Sequence, residues 1–227
     1  MILGIESSAV SAGCALMDGG RLVAEQFLNT KHTHSQTLLP MVESMLKSAG
    51  LTLGDIDLIA VSAGPGSFTG LRIGVAAVKG MAMGAGIKCA GVSTLEAIAH
   101  NLSWVECTAC ALMDARCGQF YNALFRCGGG KVERLCEDRA IRGEELTREL
   151  AELDGRIVLA GDGADLFDRS TDHAYELAPE PLRFQRGSGV CLAAQNAEPA
   201  DAAALMPRYL RLPQAERERL AREKSDS

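Results

Sequence analysis

The most constraining feature of this chain is an order of strand and helix patterns that occurs twice. In the first half, three apolar runs precede a helical pattern, another apolar run and a second helical pattern. The predicted segments are strands 2–7, 12–17, 22–28, 57–62 and 88–92, and helices 35–49, 71–83 and 95–101. The second half starts again, with strands 105–113, 118–126, 131–137 and 156–161 and a helix over 144–153. We therefore expect two α/β units of similar layout.

This duplicated order is the layout of the actin-like ATPase superfamily, a ribonuclease H-like fold. It predicts two mixed-sheet subdomains flanked by helices, over residues 1–103 and 104–213. Residues 214–227 carry both charge signs and few apolar anchors, which predicts a flexible, charged tail. With 227 residues, 47% of them hydrophobic, the chain is long enough to bury such a core.

Charge and hydropathy limit the classes of function. The formal net charge is −6, whereas independent nucleic-acid binding requires a clustered excess of Lys and Arg. No apolar segment approaches the roughly 20 residues that span a bilayer, and the N-terminus has no basic region ahead of an apolar one. We expect a soluble cytoplasmic protein without membrane association. If RNA is its substrate, we expect a partner to hold the RNA.

A glycine-rich segment joins strand 57–62 to helix 71–83. It leaves backbone N–H groups at a helix N-terminus, an arrangement that suits phosphate or another anion. The alternative is that the glycines only permit a tight strand-to-helix turn. The Walker and dinucleotide-binding patterns are absent from this segment. Its candidate phosphate-loop residues are Gly64, Gly66, Ser67, Thr69 and Gly70.

A second candidate loop follows the first strand. Glu6, Ser7 and Ser8 place a carboxylate and two hydroxyls where open α/β sheets bind ligands. They resemble the first phosphate loop of actin-like ATPases, and ordinary hairpin chemistry is the alternative that we favour. Asp114, at another strand end, also has two interpretations. It is either an acid for catalysis or metal binding, or a turn cap that pairs with Arg116, and we favour the cap.

The cysteines offer one Cys-x-x-Cys, at Cys107 and Cys110. On the predicted strand 105–113, residues three apart point to opposite faces, so the two sulfur atoms diverge and cannot share one ion. We therefore expect no metal site and ordinary packing for these thiols. No pattern of serine, histidine and aspartate indicates a nucleophile, and we assign no catalytic residue.

Several separated blocks resemble the TsaB (YeaZ) family. They are residues 63–74, the Asp-Ala-Arg-x-Gly-x-x-Tyr block at 114–121, and Pro-Arg-Tyr-Leu-Arg at 207–211. The resemblance implies a non-catalytic subunit that dimerises with and supports TsaD, the catalytic subunit that forms the threonylcarbamoyl group on the tRNA adenosine adjacent to the anticodon. It implies TsaD and TsaE as partners, a homodimer when alone, tRNA contact only through the complex, and no intrinsic cofactor. ATP is expected to be used through TsaD and TsaE. The alternative function is an independent actin-like small-molecule phosphotransferase or ATPase.

A comparison with TsaD supports the non-catalytic interpretation. TsaD binds its metal through two histidines four residues apart, in a Gly-Val-Asn-His-Met-Glu-Gly-His pattern. This chain keeps the frame over residues 91–98, but Thr94 and Ile98 stand where the ligands would be. Threonine is a poor ligand and isoleucine is none, so transferase chemistry is not expected here.

The resemblance also implies a partner interface on helices of the first subdomain. Helix 35–49 carries an apolar stripe beside the one expected to face the sheet, and helix 71–83 carries small residues at three- and four-residue spacing. These stripes are either a wide buried face within one domain or a helix-to-helix subunit interface. The candidate interface residues are Leu38, Met41 and Met45, and Gly70, Gly74, Ala77 and Met81.

Overall fold

Five strands form the first sheet. The computed structural model describes residues 1–30 and 34–211. The strands are β1 (Ile2–Glu6), β2 (Ala12–Asp18), β3 (Arg21–Leu28), β4 (Leu58–Gly64) and β5 (Lys88–Ser93), in the spatial order β3-β2-β1-β4-β5. β1 pairs antiparallel with β2 and parallel with β4, so the sheet is mixed as predicted.

Two helices cover one face of this sheet. They are α1 (His34–Ala49) and α2 (Phe68–Ala85). Alternation along β4 explains the layering, because Ile59 and Val61 join the core beneath α1 and α2, whereas Leu58 and Ala60 face the opposite side. α2 begins at the cap residue Ser67 and ends at Gly86, which adopts a left-handed conformation.

The second sheet repeats the order of the first. Its strands are β6 (Cys107–Asp114), β7 (Gln119–Gly128), β8 (Lys131–Arg134), β9 (Arg139–Arg142), β10 (Ile157–Ala160) and β11 (Glu176–Leu177). The spatial order is β11-β10-β6-β7-β8, and β9 pairs with β7. Helices α4 (Gly143–Ala151) and α5 (Ala164–Asp168) occupy the positions of α1 and α2. The predicted duplicated actin-like fold is confirmed.

Two further helices, α3 (Thr94–His100) and α7 (Gly187–Ala194), link the two halves, and the short helix α6 (Glu180–Arg183) lies beside β10. α3 packs on β6 and β7 of the second sheet, α7 packs on β1 and β2 of the first, and α3 and α7 contact each other. α3 also contacts β4 and β5 of the first sheet, and residues 187–205 pack with the first sheet. The division at residue 103 stays a prediction.

The structure corrects the interpretation of the apolar stripe on α1 as a partner interface. Leu38, Met41 and Met45 are buried in the core of the first domain, beside Leu3, Ile5 and Leu16. Met45 is only 1% exposed. α1 contacts both the sheet and α2, so the arc that it buries is wider than a single sheet-facing stripe. These three side chains are core residues in this fold.

Two further sequence expectations concern membrane association and the C-terminal residues. Among residues 1–30 and 34–211, no helix is long and apolar enough to cross a bilayer. The predicted charged tail, residues 214–227, lies outside the described residues.

Candidate functional site

A cleft of about 860 Å³ opens between the two domains, at the ends of the central strands. This position matches the rule that open α/β sheets bind ligands at the carboxyl ends of their strands. Both candidate phosphate loops reach it, together with Asp114 at the end of β6 and Asp162 just after β10. The lining includes Ser8, Ser11, Ser67, Thr69, Arg72, Asp114, Arg116 and Asp162.

The polar side chains at the end of β1 and in the turn after it form hydrogen bonds within the protein. Glu6, Ser7 and Ser8 are all fully buried. The Glu6 carboxylate accepts hydrogen bonds from the Ser8 N–H at 2.6 Å, from the Ser8 hydroxyl at 2.5 Å, and from the Ser62 hydroxyl. The Ser7 hydroxyl donates to the carbonyl oxygen of Gly70 at 2.9 Å. These contacts fit the hairpin interpretation better than a phosphate loop.

Burial raises the pKa of Glu6, because an ionised carboxylate loses its hydration inside the protein. Hydrogen bonds from Ser62 and Ser8 oppose this effect, and the nearby charge of Asp162 adds to it. Glu6 therefore stabilises the turn after β1 by accepting hydrogen bonds within the protein. Both carboxylate oxygens accept hydrogen bonds within the protein, one from Ser8 and the other from Ser62.

The glycine-rich segment lies directly on the β1 turn. The Ser67 N–H donates to the Ser8 carbonyl oxygen at 2.7 Å, and the Ser67 side chain accepts from the Gly70 N–H at 3.4 Å. A Cβ at Gly66 would lie 2.5 Å from the Ser8 carbonyl oxygen, and one at Gly70 would lie 2.1 Å from that of Ser7. Close backbone approach therefore explains these glycines. Ser67 and Thr69 remain exposed at the cleft.

Asp114 caps the turn between β6 and β7. Its carboxylate accepts a hydrogen bond from the Arg116 N–H at 2.7 Å and pairs with the Arg116 guanidinium at 3.3 Å. Arg116 and Cys117 both have positive φ, 68° and 56°, a conformation that costs energy for residues other than glycine. The contacts support the capping interpretation that the sequence favoured.

Asp162 follows β10 and shares the cleft with Asp114. Burial raises the pKa of Asp162 to about 6, and the Asp114 charge adds to this, while a hydrogen bond from the Gln185 amide at 2.7 Å opposes it. Gln185 is fully buried and comes from the loop before α7. No local pattern in the sequence connects Gln185 to Asp162, because the contact depends on the return of the chain to the first domain.

Replacing Asp162 with asparagine is expected to stabilise the chain at neutral pH. The folded state raises the pKa of this carboxyl above its ordinary value of 3.8, so its contribution to stability is favourable at low pH and is lost as pH rises through about 6. The Asp162→Asn variant should therefore exceed the parent by about 1 to 3 kcal/mol above pH 7, and the difference should vanish below about pH 4. Urea unfolding at several pH values measures this, and parallel stability curves would contradict it.

A C-terminal strap, residues 207–211, contacts residues of both domains beside the cleft. The Arg208 N–H donates to the Ala63 carbonyl oxygen at 2.7 Å, and the Tyr209 ring stacks on Phe68 at 4.2 Å between centroids. The Arg72 guanidinium donates to the Tyr209 hydroxyl at 3.0 Å. At its far end the strap reaches the second domain, where Arg211 donates to the Ala115 carbonyl oxygen. The sequence block at 207–211 thus joins the two walls of the cleft.

The second candidate surface, on α2, is only partly accessible. Gly70 and Gly74 are buried against Ser7, and Ala77 and Met81 are half-buried on the first core. The exposed side of α2 is different and consists largely of small or apolar residues. They are Ala76, Gly80, Met83 and Gly84.

The positions compared with metal ligands lie in the core. Thr94 and Ile98 are both fully buried on α3. Cys107 and Cys110 belong to separate core clusters on the two faces of β6, as their spacing predicts. Within the described part of the chain, no group of three His, Cys, Asp or Glu side chains is placed to hold a metal ion.

Comparisons with known proteins assign the family. A family model described as TsaD, tRNA N6-adenosine threonylcarbamoyltransferase, matches residues 21–218. A Bacillus subtilis (strain 168) protein named tRNA threonylcarbamoyladenosine biosynthesis protein TsaB is 30% identical over 219 residues, which cover 95% of this chain and 96% of that protein. The Escherichia coli (strain K12) protein of the same name is 35% identical over 166 residues, 71% of each chain.

A solved structure agrees with these relatives. YeaZ from Pseudomonas aeruginosa superposes with a TM-score of 0.80 at 25% identity, covering 92% of this chain and 99% of that one. The resemblance indicated by the sequence blocks is therefore confirmed across nearly the whole length. The chain belongs to the TsaB (YeaZ) family.

Proposed function

We propose that this chain takes part in forming threonylcarbamoyladenosine in tRNA as a non-catalytic subunit that pairs with TsaD. Its relatives in Bacillus subtilis and Escherichia coli are named for this biosynthesis. TsaD and TsaE would be the subunits that use ATP, and the complex would hold the tRNA. Without TsaD, the same face of this chain would pair two copies of it.

The non-catalytic assignment is supported by the polar groups of the cleft, which form hydrogen bonds and ion pairs with other groups of the protein. An actin-like enzyme presents acids and hydroxyls there to a nucleotide. Here Glu6 bonds to Ser8 and Ser62, and Asp114 bonds to Arg116. The Arg72 guanidinium is likewise held by Tyr209. These internal contacts favour a structural role over the alternative function, an independent phosphotransferase or ATPase.

The exposed side of α2 supports a helix-to-helix contact. Ala76, Gly80 and Gly84 repeat every four residues and so lie along one face. Small residues in such a row let a partner helix approach closely. Met83, beside this row, is 71% exposed, and a flexible methionine suits an adaptable contact. We assign the TsaD-binding face to these residues, in place of the buried stripe on α1.

Met83→Glu is expected to weaken TsaD binding at least about tenfold, because the charge would lose its hydration in an apolar contact. The fold should not change, since the side chain is exposed. Met206→Glu is the matched control, because Met206 is 64% exposed and lies outside α2. Binding by titration calorimetry, and tRNA modification in a mixture of TsaD, TsaE and this chain, measure the effect.

Three results would contradict the proposal. TsaD, TsaE and tRNA could react fully without this chain, which would remove the supporting role. Met83→Glu could bind TsaD as tightly as Met206→Glu does, which would remove the α2 face. Finally, micromolar binding and turnover of ATP with magnesium by the isolated chain would favour the independent ATPase.

A further inference from the structure

Two thiols face each other across neighbouring strands of the second sheet. Cys107 on β6 is directly opposite Cys127 on β7 in the antiparallel register. Both side chains join the same core cluster, so they lie on the same face of the sheet. Directly opposite residues in antiparallel strands have Cα atoms about 4.5 or 5.5 Å apart. Both spacings fall within the range of about 4.4 to 6.8 Å that a disulfide requires.

The two thiols are chemically different. A hydrogen bond from the Cys127 thiol lowers the pKa of Cys107, and the nearby Arg156 guanidinium acts in the same direction. Burial and the charges of Glu176 and Glu106 oppose this. The same contact raises the pKa of Cys127, and burial adds to it. The Cys127 sulfur also lies 3.7 Å from the Ala99 carbonyl oxygen, a second acceptor for its proton.

The two thiols also differ in solvent exposure, and Cys107 is the more exposed of them. Cys107 keeps 9% of its surface exposed near the start of β6, whereas Cys127 keeps 2%. Only a small oxidant can reach a sulfur atom with so little exposure. Cys110 is the natural comparison within β6, because it is fully buried on the opposite face, and burial raises the pKa of its thiol. Among the thiols of β6, Cys107 is therefore the reactive one.

We propose that Cys107 and Cys127 form an oxidation site that closes to a disulfide when the chain meets a hydroperoxide. The Cys107 thiol loses its proton, and the thiolate attacks the terminal peroxide oxygen. The O–O bond breaks, and the displaced oxygen takes up that proton and leaves as an alcohol or, from hydrogen peroxide, as water. Cys107 becomes a sulfenic acid. The Cys127 thiol then gives up its proton, attacks the Cys107 sulfur and displaces water. Overall, two thiols are oxidised and one peroxide is reduced by two electrons.

The test uses the full chain in a Cys117→Ser background, because Cys117 is an exposed thiol that would link separate molecules. The reduced protein is treated with hydrogen peroxide under native conditions, unfolded in acid, alkylated and mapped by mass spectrometry. We expect a peptide pair joined through Cys107 and Cys127, lighter by two hydrogens. The thermal midpoint of the oxidised chain should rise by several degrees, since a cross-link restricts the unfolded state.

Two further variants separate the roles of the two cysteines. Cys127→Ser should give a Cys107 sulfenic acid that dimedone traps, with no cross-link. Cys110→Ser, at a buried thiol of the same strand, should form the cross-link as the background protein does. The proposal is overturned if the background protein keeps both thiols open to alkylation after peroxide treatment, or if the cross-link joins a different pair. The background measurement needs no core substitution, so a variant that fails to fold does not affect it.

Discussion

Replacing Met45 with glutamate is expected to unfold the first domain. Met45 is 1% exposed and packs in the core beneath α1. Losing a buried methionine costs about 2 to 5 kcal/mol, and burying an unpaired carboxylate adds several more. The sum is comparable with the whole stability of a domain, roughly 5 to 15 kcal/mol. Circular dichroism and urea unfolding should show loss of the cooperative native transition.

The control for this prediction lies on the same helix. Leu39 is 50% exposed, so Leu39→Glu should change the free energy of unfolding by less than about 0.5 kcal/mol. This pair of variants also separates the two interpretations of the α1 stripe. A Met45→Glu chain that keeps the parent's unfolding curve and loses only TsaD binding would restore Met45 to the interface and contradict its placement in the core.

The helices and strands that the sequence predicted well are those set by local periodicity. β4 and α2 follow directly from an apolar run, a glycine-rich turn and a helical pattern, and the structure places α2 at Phe68–Ala85. α7 had no predicted counterpart. Its position depends on the chain returning across β1 and β2, an interaction between distant residues that a local pattern does not specify.

The same distinction separates what could be predicted about the site. Strand alternation placed Cys107 and Cys110 on opposite faces of β6. The thiol that Cys107 does meet, Cys127, depends on the register between β6 and β7, which is set in three dimensions. Gln185 reaches Asp162 for a similar reason, since the two residues come from different elements. Strand alternation therefore correctly excluded a contact between Cys107 and Cys110. It could not identify Cys127 as the thiol that Cys107 meets.

The stripe on α1 shows where periodicity alone is insufficient. A helical pattern gives the angle between residues, but the width of the buried arc depends on the number of neighbouring elements. α1 contacts α2 as well as β2 and β3, so Met41 and Met45 are buried with Val42 and Leu46. Leu39, next to Leu38 on the same helix, is half exposed.

Alanine at two glycines of α2 should change stability in opposite directions. At Gly70 a Cβ would lie 2.1 Å from the Ser7 carbonyl oxygen, so α2 must move away from the β1 turn and disturb the Ser7 hydrogen bond to Gly70. Gly80 has nothing within 4 Å of that position. Gly70→Ala should therefore cost about 3 kcal/mol, whereas Gly80→Ala should add about 0.5 to 1 kcal/mol through helix propensity.

Thermal unfolding of both variants measures the contrast on one helix. For a chain of this size, Gly70→Ala should lower the midpoint by roughly 6 to 12 °C, and Gly80→Ala should raise it by roughly 1 to 4 °C. If only helix propensity mattered, both alanines would stabilise the chain, because both positions lie within α2. A midpoint for Gly70→Ala at or above that of the parent would therefore show that α2 does not rest on the β1 turn. The explanation of the glycine-rich segment by close backbone approach would then fail, and anion binding would return as the alternative explanation.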